Sequence, residues 1–235
     1  MPKAVVVASG GMDSATLANL YHSKGYDLIM VGFDYGQRHN KELTFMASMA
    51  EVLGADHRII NLSNLAAQLH GSSLTDPDVE VPDGHYSAET MKATVVPNRN
   101  AIMLSIACGI AVAEKAEILA TGVHAGDHFI YPDCRPAFID TIGEAFIAGN
   151  EGFADDAFRL EAPFVQMSKA DIAALGNELG VDYSMTWSCY KGGDVHCGRC
   201  GTCVERIEAF IDAGVEDPTV YAETGFALQE IEAQK

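Results

Sequence analysis

The chain has 235 residues, 48% of them hydrophobic, and a formal charge of −18 at pH 7. That length fits one large domain, or one domain with a small appendage, and the composition supports a sizeable core. So acidic a chain is a poor match for a general nucleic-acid or membrane surface, where phosphates demand excess Lys and Arg. The opening apolar run is too short for a signal peptide, and no run approaches the length of a membrane helix. The expectation is a soluble, cytoplasmic protein.

Residues 4–8 form an apolar, β-branched run that reads as a buried strand. It passes through Ser9, Gly10 and Gly11 into the helical pattern that starts at Met12, Asp13 and Ser14. A strand that turns sharply through two glycines into a helix presents backbone N–H groups and a positive helix end to an anion. The turn lacks the Lys of the Walker pattern and the spacing of the dinucleotide fingerprint. It resembles the SGGxDS pyrophosphate loop of the ATP-pyrophosphatase (PP-loop) superfamily, whose members cleave ATP between the α and β phosphates and adenylate a substrate oxygen.

Residues 28–33 read as a second buried strand, ending in the polar loop Asp34 to His39. A helix is expected from about 41 to 53, stopped by Gly54, followed by a third strand at 57–62. This βαβαβ order predicts a doubly wound parallel sheet, with ligands beyond the strands' C-terminal ends. Residues 71–96 read as irregular, broken by turns at 75–78 and 81–84, and fit a lid, a dimer arm or a surface excursion.

A long apolar helix opens near Arg99, with Asn98 or its neighbour as cap, and runs to Ala113. A cation at a helix start opposes the dipole, so Arg99 reads as serving a phosphate or carboxylate ligand. A fourth strand at 118–121 feeds a loop dense in titratable groups, His124, Asp127, His128, Asp133 and Cys134, and a helix follows from about 136 to 148. A short strand or connector at 160–164 precedes Ser168 and Asp171, which frame a capping-box start for a helix to Leu179. A shift in composition at about Tyr183 divides residues 1–182 from a cysteine-rich region, 183–235.

Four of the six cysteines, Cys189, Cys197, Cys200 and Cys203, fall within fifteen residues. Such clustering in a cytosolic chain reads as metal binding rather than disulfide pairing. Four thiolates leave no open position, which points to structural Zn²⁺, with an iron–sulfur cluster as the rival. Cys108 reads as a core thiol. Cys134 reads as packing or as a nucleophile, and His124, Asp127 and His128 as polar loop residues or metal ligands.

Four further stretches resemble the 7-cyano-7-deazaguanine (preQ0) synthase family of queuosine biosynthesis. They are Phe33-Asp34-Tyr35-Gly36-Gln37-Arg38-His39, Pro97-Asn98-Arg99-Asn100, Tyr131-Pro132-Asp133-Cys134-Arg135 and the Cys189 to Cys203 pattern. The resemblance implies a Rossmann-like fold of the adenine nucleotide alpha hydrolase type with a small C-terminal zinc subdomain built on four cysteines. It implies a homodimeric ligase that uses ATP, with Mg²⁺, to convert 7-carboxy-7-deazaguanine and ammonia to the nitrile. On it, Ala8, Ser9, Gly10, Gly11, Met12, Asp13 and Ser14 form the pyrophosphate cradle, and Asp13 has Mg²⁺ or its own helix as alternative partners. Asp13, Arg38, Arg99 and Asp133 are the catalytic candidates, Lys169 is a further phosphate contact, and Asp127 and Asp133 are candidates for reading the deazaguanine edge. One Zn²⁺ per chain is expected on Cys189, Cys197, Cys200 and Cys203.

Overall fold

The computed structural model describes residues 1–66, 68, 71–76, 78–86 and 91–234. Part of the irregular stretch expected at 71–96 therefore lies outside the described residues. Five strands, β1 (Lys3–Val7), β2 (Asp27–Asp34), β3 (Asp56–Asn61), β4 (Ile118–Ala120) and β5 (Arg159–Glu161), form one parallel sheet in the order β3-β2-β1-β4-β5. This is the expected doubly wound α/β sheet.

Helices cover both faces. They are α1 (Met12–Ser23), α2 (Glu42–Leu53), a short α3 (Ser63–Ala66), α4 (Arg99–Ala113), α5 (Pro136–Gly149), α6 (Lys169–Glu178), α7 (Gly201–Ala213) and α8 (Gly225–Glu232). The period of two along a strand divides the core. Val5, Ile29, Val31 and Leu119 pack with Leu104, Ala107 and Cys108 of α4 and Ile139 of α5. Ala4, Val6, Met30 and Ile118 pack with Leu17 of α1, Met46 of α2 and Ile172 of α6 on the other face. Both faces are buried, so the central strands read as continuous apolar runs.

Local signals set several boundaries as expected. Gly54 ends α2 in the left-handed conformation (φ 63°), and Ser168 and Asp171 form a reciprocal capping box on α6. The cap of α4 differs. Asn98 is itself left-handed (φ 57°) and makes no side-chain cap, so the helix is capped instead by Asp133, whose Oδ2 accepts from the Asn100 N–H at 3.1 Å. By length and mean hydropathy (1.4), the helical stretch Lys92–Ala113 passes as membrane-crossing, contrary to the sequence reading. Its α4 portion instead contributes Leu104, Ala107, Cys108 and Ala111 to the core against the sheet.

Candidate active site and candidate metal centre

β1 sends the chain one way to β2, and β4 lies on its other side, so the switch in strand order falls between β1 and β4. Such a switch opens a crevice beyond the strand ends. A cavity of about 230 Å³ lies there, lined by the turn Ala8–Ser9 and Gly11–Ser14, the β4 loop Thr121–His124 with Asp127, Arg99, Lys169 and five side chains from residues 187–205.

The turn after β1 is locked by its neighbours. Gly10 has φ 97°, and a Cβ there would sit 2.0 Å from the Glu42 carbonyl oxygen, so close approach to α2 requires glycine. The Gly10 and Gly11 N–H groups are held by the Ser14 and Ser9 hydroxyls, each at 3.1 Å. The Gly10 carbonyl accepts from Trp187 N at 2.9 Å, tying the turn to the C-terminal region.

Asp13 and Lys169 form the electrostatic centre. The Lys169 ammonium donates to Asp13 Oδ2 at 2.7 Å and lies 3.4 Å from Glu205 Oε2 and 3.2 Å from His124 Nε2. Burial alone would raise the Asp13 carboxyl, but the ammonium and the His124 ring hold it below the ordinary range. Burial would likewise discharge Lys169, but Asp13, Glu205 and Asp127 hold its pKa above the ordinary value. Glu205 shifts the other way, raised by burial against the pull of Lys169. The other Asp13 oxygen, Oδ1, is buried with no partner. His124 Nδ1 accepts from the Gly126 N–H at 3.1 Å, and its Nε2 lies 3.5 Å from Asp127 Oδ2. His124 and Asp127 thus contact each other. Among the described residues, neither His124, Asp127 nor His128 belongs to a group spaced to hold a metal.

The cavity is also lined by Phe33, Tyr35, Tyr86, Tyr131 and Tyr190, with Arg99 between the Tyr35 and Tyr131 rings. Burial raises the pKa of the four phenols, which stay protonated. Cys134 also lines the cavity, but burial pushes its thiol up, and Asn100 Nδ2 lies 3.1 Å from its sulfur. A thiol held in its protonated form is a poor nucleophile.

Two expected catalytic residues do other work. Arg38 is exposed and does not line the cavity; its guanidinium donates to the carbonyls of Asp76 and Val79 at 2.5 and 2.8 Å. Asp133 also stays off the cavity, because capping α4 occupies its carboxylate. The sequence reading missed Glu205 and the tyrosine wall. Glu205 lies in no motif, and although Tyr35 and Tyr131 fall in the stretches 33–39 and 131–135, the rings meet only because segments distant in sequence converge on the cavity.

Arg38 is one anchor of a strap. Residues 78–86 run across the cysteine region, where Asp83 pairs with Lys191 and with Arg199 (3.2 Å), and the Gly84 N–H bonds the Arg199 carbonyl at 2.9 Å. The strap delivers Tyr86, whose hydroxyl donates to Asp127 Oδ1 at 3.1 Å. The Asp83 pairs are exposed, so Asp83→Ala is expected to cost no more than ~1 kcal/mol of global stability. Local opening is expected to rise, read as several-fold faster cleavage within 78–86 by limited proteolysis.

The four cysteines converge. The Sγ atoms of Cys189, Cys197, Cys200 and Cys203 all lie within 4.8 Å of one another, with Cys197 to Cys203 at 3.9 Å and Cys189 to Cys200 at 4.0 Å. Tetrahedral zinc with bonds of ~2.3 Å places its sulfurs ~3.8 Å apart. Gly198 (φ 74°) makes the knuckle turn, and the N–H groups of Arg199 and Cys200 each point at Cys197 Sγ at 3.3 Å. His196 is not a member of the set: its Nε2 accepts from the Ser188 N–H at 3.0 Å. α7 begins inside this knuckle and carries Thr202 and Glu205 to the cavity.

A family model described as "Queuosine biosynthesis protein QueC" matches residues 3–214. A 7-cyano-7-deazaguanine synthase from Brucella anthropi is 56% identical over 230 residues, which is 98% of this chain and 98% of that one. Another, from Allorhizobium ampelinum, is 57% identical over 224 residues, 95% of this chain and 94% of that one. Among solved structures, the U34-tRNA thiolase NcsA from Methanococcus maripaludis superposes with a TM-score of 0.50 at 15% identity, over 99% of this chain and 71% of that one, a likeness of fold. Matched by one family model from β1 to the end of α7, and sharing over half its residues with these relatives along nearly their whole length, the chain belongs to the QueC family of queuosine biosynthesis proteins.

Proposed function

We propose that this chain is an ATP-dependent ligase that converts 7-carboxy-7-deazaguanine and ammonia to 7-cyano-7-deazaguanine, the activity its relatives' name describes. The observation that carries the reading is a single cavity at the strand-order switch lined by two unlike sets of residues, a glycine turn on a helix start and a group of aromatic rings. One suits the phosphates of ATP, and the other suits a flat heterocycle.

A carboxylate is a poor electrophile, so one of its oxygens first attacks the α-phosphorus of ATP and pyrophosphate leaves. Ammonia then adds to the acyl adenylate, loses a proton and displaces AMP to give the amide. The amide oxygen then attacks the α-phosphorus of a second ATP, pyrophosphate and one N–H proton leave, and loss of AMP and the remaining N–H proton gives the nitrile. In this reading Ser9, Gly11 and Ser14 hold the departing pyrophosphate, and Lys169 turns from Asp13 toward the phosphates as they enter. The wall formed by Trp187, Ser188 and Thr202 excludes water from the adenylate. Mg²⁺ would neutralise phosphate charge, and the orphaned Oδ1 of Asp13 fits a cation contact.

Residues 183–235 belong to this reading as a zinc-binding region that closes the cavity. The sulfur spacing suits one Zn²⁺ on four thiolates; a four-iron cluster needs its thiolates set further apart around the irons and sulfides. A homodimer, as the family resemblance implies, completes it.

Incubating the purified protein with 7-carboxy-7-deazaguanine, ATP, Mg²⁺ and ammonium, followed by mass spectrometry, tests the reading. The nitrile is expected, with two AMP released for each one formed. Amide with one AMP would mean that the enzyme stops after the first activation. If neither product nor AMP forms, the assignment is wrong.

A further inference from the structure

Of the two cations that line the cavity, Lys169 is paired and Arg99 is not. Among the described residues no carboxylate lies within ion-pair distance of Arg99. Its one hydrogen bond runs from Nη1 to the Tyr35 hydroxyl at 3.3 Å, and its guanidinium sits 5.9 Å from the centres of both the Tyr35 and Tyr131 rings. Arginine keeps its charge under any such conditions. A desolvated guanidinium without a carboxylate is an incomplete arrangement.

The backbone brings Arg99 there at a cost. The residue occupies the first position of α4, where the dipole disfavours a cation, and it follows Asn98 in a left-handed conformation without a side-chain cap. Asp133 reaches across from another element to supply the missing cap. Neither arrangement serves the helix, and both set the guanidinium in the chamber. The surroundings also decide which anion fits. Tyr35, Tyr131 and Tyr190 offer flat, neutral faces, and among the described residues no contact joins Arg99 to the glycine turn at 8–14. A triphosphate needs several N–H donors, which the first turn of α1 leaves without intrahelical partners and this chamber lacks. A planar aromatic ring bearing one carboxylate matches both the rings and the charge.

We propose that Arg99 is the specificity-determining residue of the tyrosine chamber: it pairs with the carboxylate of the heteroaromatic substrate, and not with the phosphates of ATP. The assignment rests on the proposed ligase reading and sharpens it. The guanidinium is already desolvated in the folded chain, so the incoming carboxylate meets a preorganised partner. The amide and the nitrile carry no charge at that carbon, so the pair exists only with the acid. The chamber therefore distinguishes the acid from the finished nitrile by charge, while stacking against the rings retains the neutral amide between the two activations.

The test is direct binding by calorimetry to the intact zinc-loaded chain, with no turnover. The probes are 7-carboxy-7-deazaguanine alone, 7-cyano-7-deazaguanine alone and ATP alone. The wild-type chain is expected to prefer the acid over the nitrile by roughly 10- to 100-fold, as for a charge-assisted hydrogen-bonded pair. Arg99→Met should bind acid and nitrile alike and keep its ATP affinity within about two-fold. Arg99→Lys keeps the charge but loses the planar fork, so it should recover part of the preference, and it covers the case in which the methionine variant fails to fold. An ATP affinity that falls in both variants while the acid preference persists would overturn the proposal, as would a wild-type chain that binds both heterocycles equally. These results are separate from failure of the ligase reading, which shows as absent amide, nitrile and AMP in the wild-type incubation.

Discussion

Replacing Asp13 by alanine is expected to lower AMP formation by roughly 10²- to 10³-fold, the scale on which one preorganised charge contact acts at a transferring group. Asp13 sits one residue inside α1, against Gly122 of the β4 loop and 2.7 Å from the Lys169 ammonium. In the proposed reading it aims the cation that meets the phosphates, and its buried, unpartnered Oδ1 would contact a divalent ion. In the alanine variant Lys169 keeps Glu205 at 3.4 Å as a counter-ion, so it is not stranded. The ammonium would settle toward α7 and away from the turn. The stability cost should therefore fall below the ~3–5 kcal/mol of a buried pair broken outright, and the variant should fold. Measuring AMP release beside a thermal melt separates the two effects. Unchanged AMP release would show that the turn at 8–14 does not position the reacting phosphates.

Removing the metal from the cysteine cluster should have the largest effect on the structure. Metal analysis of the purified, colourless protein is expected to give about one zinc per chain. A strong chelator, or Cys203→Ser, should lower the melting temperature sharply, because structural zinc contributes ~10–16 kcal/mol to the folding of zinc-finger peptides at neutral pH. Much of that coupling should be felt here. α7 begins at the knuckle and carries Arg206, fully buried, which donates to the Thr186 hydroxyl at 2.7 Å and the Tyr183 carbonyl at 3.1 Å and pairs with Asp217 at 3.2 Å. Four uncoordinated thiolates packed together would repel one another and break up this region. The cavity would then lose Thr202 and Glu205, and the strap its anchor at Arg199. A metal-free chain with an unchanged melting temperature would refute the zinc assignment. A brown protein with visible charge-transfer absorption would favour an iron–sulfur cluster.

How much of this was legible in the sequence depends on the range of the interactions. Two catalytic candidates stand off the cavity for one reason. Arg38 lies in a polar loop after β2, and Asp133 in one after β4, where ligands gather. Their side chains turn instead to the backbone of the strap and to the start of α4. Both strand ends were readable, but the direction in which a charged side chain points is set by which backbone groups nearby lack partners, and those belong to distant segments.

The sequence by itself determined the features governed by local chemistry. The apolar runs at 4–8 and 28–33 could only be strands buried on both faces, which led to the parallel sheet. The serine–glycine pattern between an apolar run and a helical one marked a sharp strand-to-helix turn, because glycine takes backbone conformations that other residues rarely adopt. The Cys189 to Cys203 spacing marked a metal centre, because four thiols so close in sequence can close around one ion. The tertiary structure alone decided what spans the chain. It brought Tyr35, Tyr131 and Tyr190 around Arg99 and set Glu205 beside Lys169 and Asp13. It also turned residues 78–86 into a strap held by Arg38 and the cysteine knuckle. Tyr35, Arg99 and Tyr131 each sit in a recognisable short stretch, but no periodicity or spacing links those stretches to one another or to Tyr190 and Glu205. Their proximity follows from strand order, which places the ends of β1, β2 and β4 side by side and leaves the C-terminal region to close over them.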